Sequence, residues 1–242
     1  MRVKRGFVMK SHFQLVLGVA AAVLFVGLSG QVAAEEQPSA AKSPEQAGEE
    51  VWVEGTYVRV AANNEGWVVV GYRIANESVG REYMVIEVGM TVMKDSVSQE
   101  ITRNDIKLVT PDHKVISLPS QEEYEKVHGK VLPLVKRDAT AGDRINYFPS
   151  HRMDSCSLEF FTEQGGRRVR LAYDKVLLSS NRACTGRLFF EVPGGIQHGL
   201  YNFDVKFANS TVKVPIQIMT EDEAKQFTKE WKKQLKESDG DS

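Results

Sequence analysis

The sequence predicts a mainly β fold: two antiparallel sheets packed as a sandwich, interrupted by an irregular insertion and closed by a C-terminal amphipathic helix. Three observations carry that expectation. From Val51 to Met219 apolar residues recur with period two or in short runs closed by Gly, Pro, Asn and Asp clusters, the pattern of half-buried and buried strands. About nine or ten such segments follow one another with no helix of crossover length between them, which disfavours a parallel α/β sheet. The composition, 42% hydrophobic and 26% charged with a formal net charge of −1, excludes a disordered polyampholyte, a collagen-like chain and a polytopic membrane protein.

The first 34 residues differ from the rest. Arg2, Lys4, Arg5 and Lys10 form a basic head without acids, Leu15–Leu28 is apolar, and Val32-Ala33-Ala34 supplies small residues. This order predicts a secretory signal peptide (1–34) cleaved after Ala34. The rival is an uncleaved anchor, but fourteen apolar residues span about 21 Å as a helix, short of a ~30 Å hydrocarbon core. No cysteine near Ala34 offers a lipoprotein anchor, and the head has no adjacent arginines for the twin-arginine route. Removing the leader takes away four bases and no acids, leaving 27 bases against 32 acids, or −5. That balance argues against nucleic acid and anionic lipid as partners. Residues 35–50, with Pro38, Pro44, five Glu and no large apolar side chain, read as a disordered tether.

The strands follow in order. Val51–Ala61 turns at Asn63-Asn64-Glu65-Gly66 into Trp67–Ala75. Arg81–Lys94 places Met84, Ile86, Val88, Met90 and Val92 on one face, and Tyr83, Val85, Glu87, Gly89 and Thr91 on a more mixed one. Ile106–Val109 and Val115–Leu118 flank Thr110-Pro111-Asp112-His113-Lys114 as a hairpin. Ser157–Phe161, Val169–Tyr173, Arg187–Val192, Tyr201–Phe207 and Val212–Met219 complete the set. The domain (51–219) exceeds the ~100 residues of a minimal immunoglobulin-like sandwich, and the excess falls in Pro119–Ala183, where periodicity weakens. There Ser120-Gln121-Glu122-Glu123 is a capping box for a short helix through Val127, followed by a long surface excursion over Gly129–Met153.

Thr220-Glu221-Asp222-Glu223 opens a second helix (220–238), with Ala224, Phe227, Trp231 and Leu235 on one stripe and lysines over the rest. The stripe either docks on the domain's own surface or is laid into a partner's groove, which makes Phe227 and Trp231 candidate partner-binding residues. The cysteines, Cys156 and Cys184, are most simply a disulfide outside the cytosol. Such a bridge contributes roughly 3 kcal/mol in the chain-entropy model. A redox pair or soft metal site is the alternative, without Cys-x-x-Cys spacing to support it.

A search for chemistry finds no His-Glu-x-x-His helix, Gly-x-Ser-x-Gly elbow, phosphate loop, Gly-x-Gly-x-x-Gly or EF-hand spacing, so no cofactor and no catalytic or metal residue is assigned. His113, His128, His151 and His198 fall in predicted loops or element ends, separated in sequence. Met84 and Met90 belong to an apolar stripe, where methionine usually fills core rather than binds copper.

The Trp67–Ala75 and Arg81–Val92 strands, DIKLVTPDHKVISL (Asp105–Leu118) and GRLFFEVPGG (Gly186–Gly195) together resemble uncharacterised exported bacterial proteins of the secreted-antigen type, built on an immunoglobulin-like β-sandwich. The resemblance covers about half of the chain after the leader and implies that fold and bacterial export; it carries over no catalytic residue. The functional expectation is therefore a periplasmic or secreted, non-enzymatic binding or accessory module of the cell envelope, with an envelope protein as its partner. The alternative is a periplasmic enzyme or metal-binding protein whose site the fold assembles from loop histidines and acids.

Overall fold

The computed structural model describes residues 49–149, 154–162 and 172–240, with the side chains of 238–240 excepted. The leader, the tether up to residue 48 and most of the strand expected at 169–173 lie outside the described residues. The chain runs through β1 (Glu50–Gly55), β2 (Val58–Ala62), β3 (Gly66–Gly71), a single helical turn α1 (Arg73–Asn76), β4 (Tyr83–Val92), β5 (Gln99–Thr102), β6 (Ile106–Val109) and β7 (Val115–Ser117). Then come α2 (Gln121–Ala141), β8 (Asp154–Ser157), β9 (Lys175–Leu178), β10 (Arg182–Glu191), β11 (Gly199–Lys206), β12 (Thr211–Ile218) and α3 (Glu221–Gly240).

Among the described residues, six strands form one sheet in the order β1-β2-β3-β4-β10-β8, four form another in the order β12-β11-β6-β7, and β5 pairs with β9. Pairing is antiparallel except between β10 and β8. The mainly β expectation therefore holds, with several antiparallel sheets and a C-terminal helix. The even-numbered side chains of β4, predicted as one face, join Leu188 and Phe190 of β10 against Tyr201, Phe203 and Val205 of β11 and Val212, Val214 and Ile216 of β12 in one core shared by both larger sheets. The first four strands of the six-stranded sheet run as a meander, whereas an immunoglobulin constant domain interleaves its strands A, B, E and D.

Several elements differ from expectation. The strand expected at Val51–Ala61 is a hairpin of β1 and β2, its register broken between Val53 and Gly55. The strand expected at Trp67–Ala75 stops at Gly71 and turns into α1, whose Ile74 and Ala75 are buried. The strand expected at Ser157–Phe161 lies earlier, as β8. The largest correction is α2: the irregular insertion is in good part helical, and the helix expected to end at Val127 continues to Ala141, through Gly129 and over Pro133. Its start is as expected, with Ser120 Oγ accepting from Glu123 N and Glu123 Oε2 accepting from Ser120 N at 2.7 Å. Gly129 is four residues before Pro133, the position whose carbonyl a helical proline disrupts. Tertiary burial overrides that cost, because Tyr124, Val131, Leu134 and Asp138 form a buried stripe packed with Tyr83, Val85 and Phe189 on the outer face of the six-stranded sheet.

The outer edge of β12 is closed by side chains instead of a strand. The Lys213 amide faces outward and donates to Glu49 Oε1, so Pro215 and Gln217, two and four residues on, present the same edge. Pro215 has no N–H, and the Gln217 backbone lies beside the Tyr72 hydroxyl, which donates to Thr56 O at 3.2 Å. Such capping blunts edge-to-edge pairing. Helix α3 starts on its capping box, Thr220 with Glu223, and docks by its first turns. Ala224 is buried, Thr228 Oγ1 lies 2.7 Å from Thr56 Oγ1, and the Phe227 ring lies 4.9 Å from the buried Arg59 guanidinium.

The predicted disulfide is present. Cys156 of β8 and Cys184 of β10 stand opposite one another in the parallel pair and are bridged. A Cys156→Ser/Cys184→Ser double variant is expected to lose about 3 to 4 kcal/mol in urea unfolding. Reductant should bring the wild type to the same midpoint and leave the variant unmoved; coincident midpoints without reductant would show that the bridge adds nothing.

Candidate functional site

The outer face of the six-stranded sheet builds a concave site. On β4 the odd-numbered side chains point away from the core, and on β10 so do Arg187 and Phe189, because alternate residues of a strand take opposite faces. Helix α2 crosses this face. In its N-terminal half Tyr124 meets Phe161 and Phe189 with ring centroids 5.2 Å away from each, and Phe161 and Phe189 lie 4.6 Å apart. In its C-terminal half Asp138, whose side chain is 2% exposed, accepts from Arg187 Nε at 2.6 Å, and Arg187 Nη2 reaches Glu87 Oε1 at 3.6 Å. Past the end of α2, Asp143 takes Arg73 in a two-pronged contact of 2.6 and 3.2 Å, and Arg73 stacks over Tyr57.

Between these elements opens a cleft of about 610 Å³. Tyr124 and Val135 of α2 form one wall, Glu87 and β10 from Thr185 to Phe189 the floor, and the segment from Ser157 to Thr162 the opposite wall. That segment is anchored at its far end, where Thr162 exchanges two hydrogen bonds with the Gln121 side chain at 3.1 and 3.2 Å. Arg103 holds it from behind, donating to the Phe160 carbonyl and to Asp174. At the near end the disulfide ties β8 to β10 one residue before Ser157 and Thr185 enter the lining.

Burial raises the pKa of Glu87, and the neighbouring Asp138 raises it further, while Arg187 pulls it down. Burial likewise raises Asp138 against the opposing pull of Arg187. Among the described residues Arg187 is the only arginine in the lining, and it is thus already committed to a buried carboxylate. Ser157, Thr162 and Thr185 also line the cleft, but among the described residues none has its hydroxyl paired with a histidine or carboxylate, as an activated nucleophile would. The arrangement is suited to holding a ligand by shape, ring contacts and hydrogen bonds.

Of the sequence-derived candidates, Cys156 and Cys184 are brought together at the cleft's end, whereas Phe227 and Trp231 lie outside it. Both are half-buried on α3, and Leu235 further along is exposed. His113 sits in the β6–β7 turn with φ 62° and His198 precedes β11, while His151 lies outside the described residues. His128 is on α2, edge-on to Tyr124 at 5.3 Å, and its buried Nε2 has no hydrogen-bond partner among the described residues. No group of three or more His, Cys, Asp or Glu that could hold a metal ion occurs among the described residues. Sequence reading missed Asp138 and Arg187. The one available signal was Glu87, an acid in the middle of a strand that is otherwise uncharged.

No helix of the described residues is long and apolar enough to cross a membrane. Compared with protein-family models, curated proteins and solved structures, the chain matches none.

The sign of the pH dependence follows from the two raised carboxyls. The folded protein holds their protons more tightly than the unfolded chain, so their contribution to stability falls as pH rises from the ordinary carboxylate range through their raised pKa values. Glu87→Gln is expected to flatten that decline and to match or exceed the wild type at neutral pH. Asp138→Ala should cost about 3 kcal/mol, because Arg187 loses its buried partner. Urea unfolding across mildly acid to neutral pH measures both, and a steeper decline in Glu87→Gln would refute the assignment to burial.

Proposed function

We propose that the chain is an exported, non-enzymatic binding module of the bacterial cell envelope, an immunoglobulin-like β-sandwich in which the cleft beneath α2 receives the partner. The observation that carries this reading is the make-up of the cleft: an aromatic cluster at one end, an arginine neutralised by Asp138 at the other, and hydroxyl and backbone groups between. Pockets of this kind recognise by packing and a few placed polar groups. Two sheets over one core support the sandwich. The basic, apolar and small-residue order of the leader supports export, and a disulfide suits an oxidising compartment. The half-buried stripe of Phe227 and Trp231 on α3 offers a second contact surface.

A photo-crosslinking residue placed at Ser157, which is exposed and lines the cleft, tests the reading in living cells. A discrete cross-linked envelope partner is expected from Ser157 and none from Val115, exposed on β7. Equal labelling from both positions, or none from Ser157, would refute the cleft as the receptor surface.

A further inference from the structure

The outer face of the six-stranded sheet carries a second cluster at its β1 end, apart from the cleft. Ile145 and three valines are buried there beneath a rim of Trp52, Trp67, Tyr147 and Phe148, each half-buried. The segment after α2 holds this rim in place. Phe148 sits over Gly89 and Ile145 over Gly71, where a Cβ would meet their side chains. The Trp67 indole donates from Nε1 to the Tyr147 carbonyl at 2.9 Å. Trp52, on the edge strand, stacks on Trp67 with ring centroids 4.9 Å apart and planes 24° from parallel. Its own indole N–H has no partner among the described residues and is not sealed from solvent.

An acid stands beside these rings. Val53 faces Arg59 and Gly55 faces Val58 across the hairpin, so Glu54 is an extra residue with none opposite, a bulge of the kind that re-aims a side chain. It is aimed at the rings: burial raises the pKa of the Tyr147 hydroxyl, and the Glu54 charge raises it further. Arg59, on the neighbouring strand, is perturbed by burial and by Tyr72, not by Glu54. Glu54 is half-buried, and among the described residues no hydrogen bond or ion pair reaches it. Withdrawing a carboxylate from water without a partner is costly, and a cluster that only packed would have no use for one. Ring faces and an unpaired carboxylate together select a cation. A primary ammonium brings three N–H donors that need acceptors, whereas a quaternary ammonium brings none and is held by ring faces and charge. A neutral sugar would stack on the rings but leave the carboxylate's charge uncompensated. We infer that Trp52, Trp67 and Tyr147, with Glu54 beside them, bind a small quaternary ammonium solute.

The probes are choline chloride, its neutral isostere in which a tert-butyl group replaces the trimethylammonium, and sodium chloride at matched concentration. Each is titrated into the full chain with tryptophan fluorescence as the readout. Choline is expected to give a saturable change, the isostere to bind roughly tenfold or more weakly, and the salt to give none. The choline response should persist in Trp231→Phe, which leaves the stacked pair as the only tryptophans. Glu54→Gln should weaken choline binding roughly tenfold while its urea midpoint stays at or above that of the wild type, because it removes an unpaired charge and no contact. Equal affinity for choline and its isostere, wild-type choline affinity in Glu54→Gln, or no saturation by choline would overturn the inference. So would tighter binding of methyl glucoside, which would make the rim a sugar platform. Capture by phosphatidylcholine vesicles without a response to choline would overturn it too, by making the rim a lipid contact. None of these outcomes touches the cleft, whose lining shares no residue with the rim.

Discussion

The even-numbered side chains of β4 fill the core between the two larger sheets, while its odd-numbered ones lie beneath α2 and the segment that follows it. Gly89 shows how close that cover is, because a Cβ there would run into the Phe148 ring. With β3 on one side and β10 on the other, β4 has no direction in which to yield. The shared core, the docking of α2 and the floor of the cleft all use this strand, so the site stands on the most constrained part of the molecule.

That arrangement explains the position of the charged groups. A strand buried on both faces has little room for an ionised side chain, and Glu87 is accommodated only where Arg187 on the adjacent strand and Asp138 on the crossing helix complete a bridge. The bridge fixes the C-terminal half of α2 and the three rings fix its N-terminal half, leaving the intervening groove open. Helix α2 is held at two places by unlike chemistry, one polar and pH-sensitive, the other apolar. Its interior proline, with a glycine four residues before it, lies between them.

Much of this was legible in the sequence where local pattern and tertiary outcome agree. Alternation identified β4, the Thr110–Lys114 turn identified the β6–β7 hairpin, and the two capping boxes marked the starts of α2 and α3. The cysteine pair was readable because it was the only one. What escaped was decided by contacts distant in sequence. Gly129 and Pro133 argue locally against a helix, and α2 survives them only because Tyr124, Val131 and Leu134 find the sheet. The break between β1 and β2 falls at Glu54-Gly55-Thr56, inside a stretch from Val51 to Ala61 whose flanking residues are strand-like on both sides. Neither Asp138 nor Arg187 carries any mark of its partner, since 49 positions separate them. The cleft was therefore invisible until β10 and α2 were placed together.

The closure of β12 bears on how the domain carries load. The chain enters beside this strand, where the Glu49 carboxylate holds the Lys213 amide, and it leaves from the strand's other end into α3, which returns to grip the β1–β2 turn through Thr228 and Phe227. Entry and exit thus lie at opposite ends of one flank, each held by side-chain contacts. A pull between them would load that flank first, and β3 stands between its two strands, β1 and β2, and the central β4.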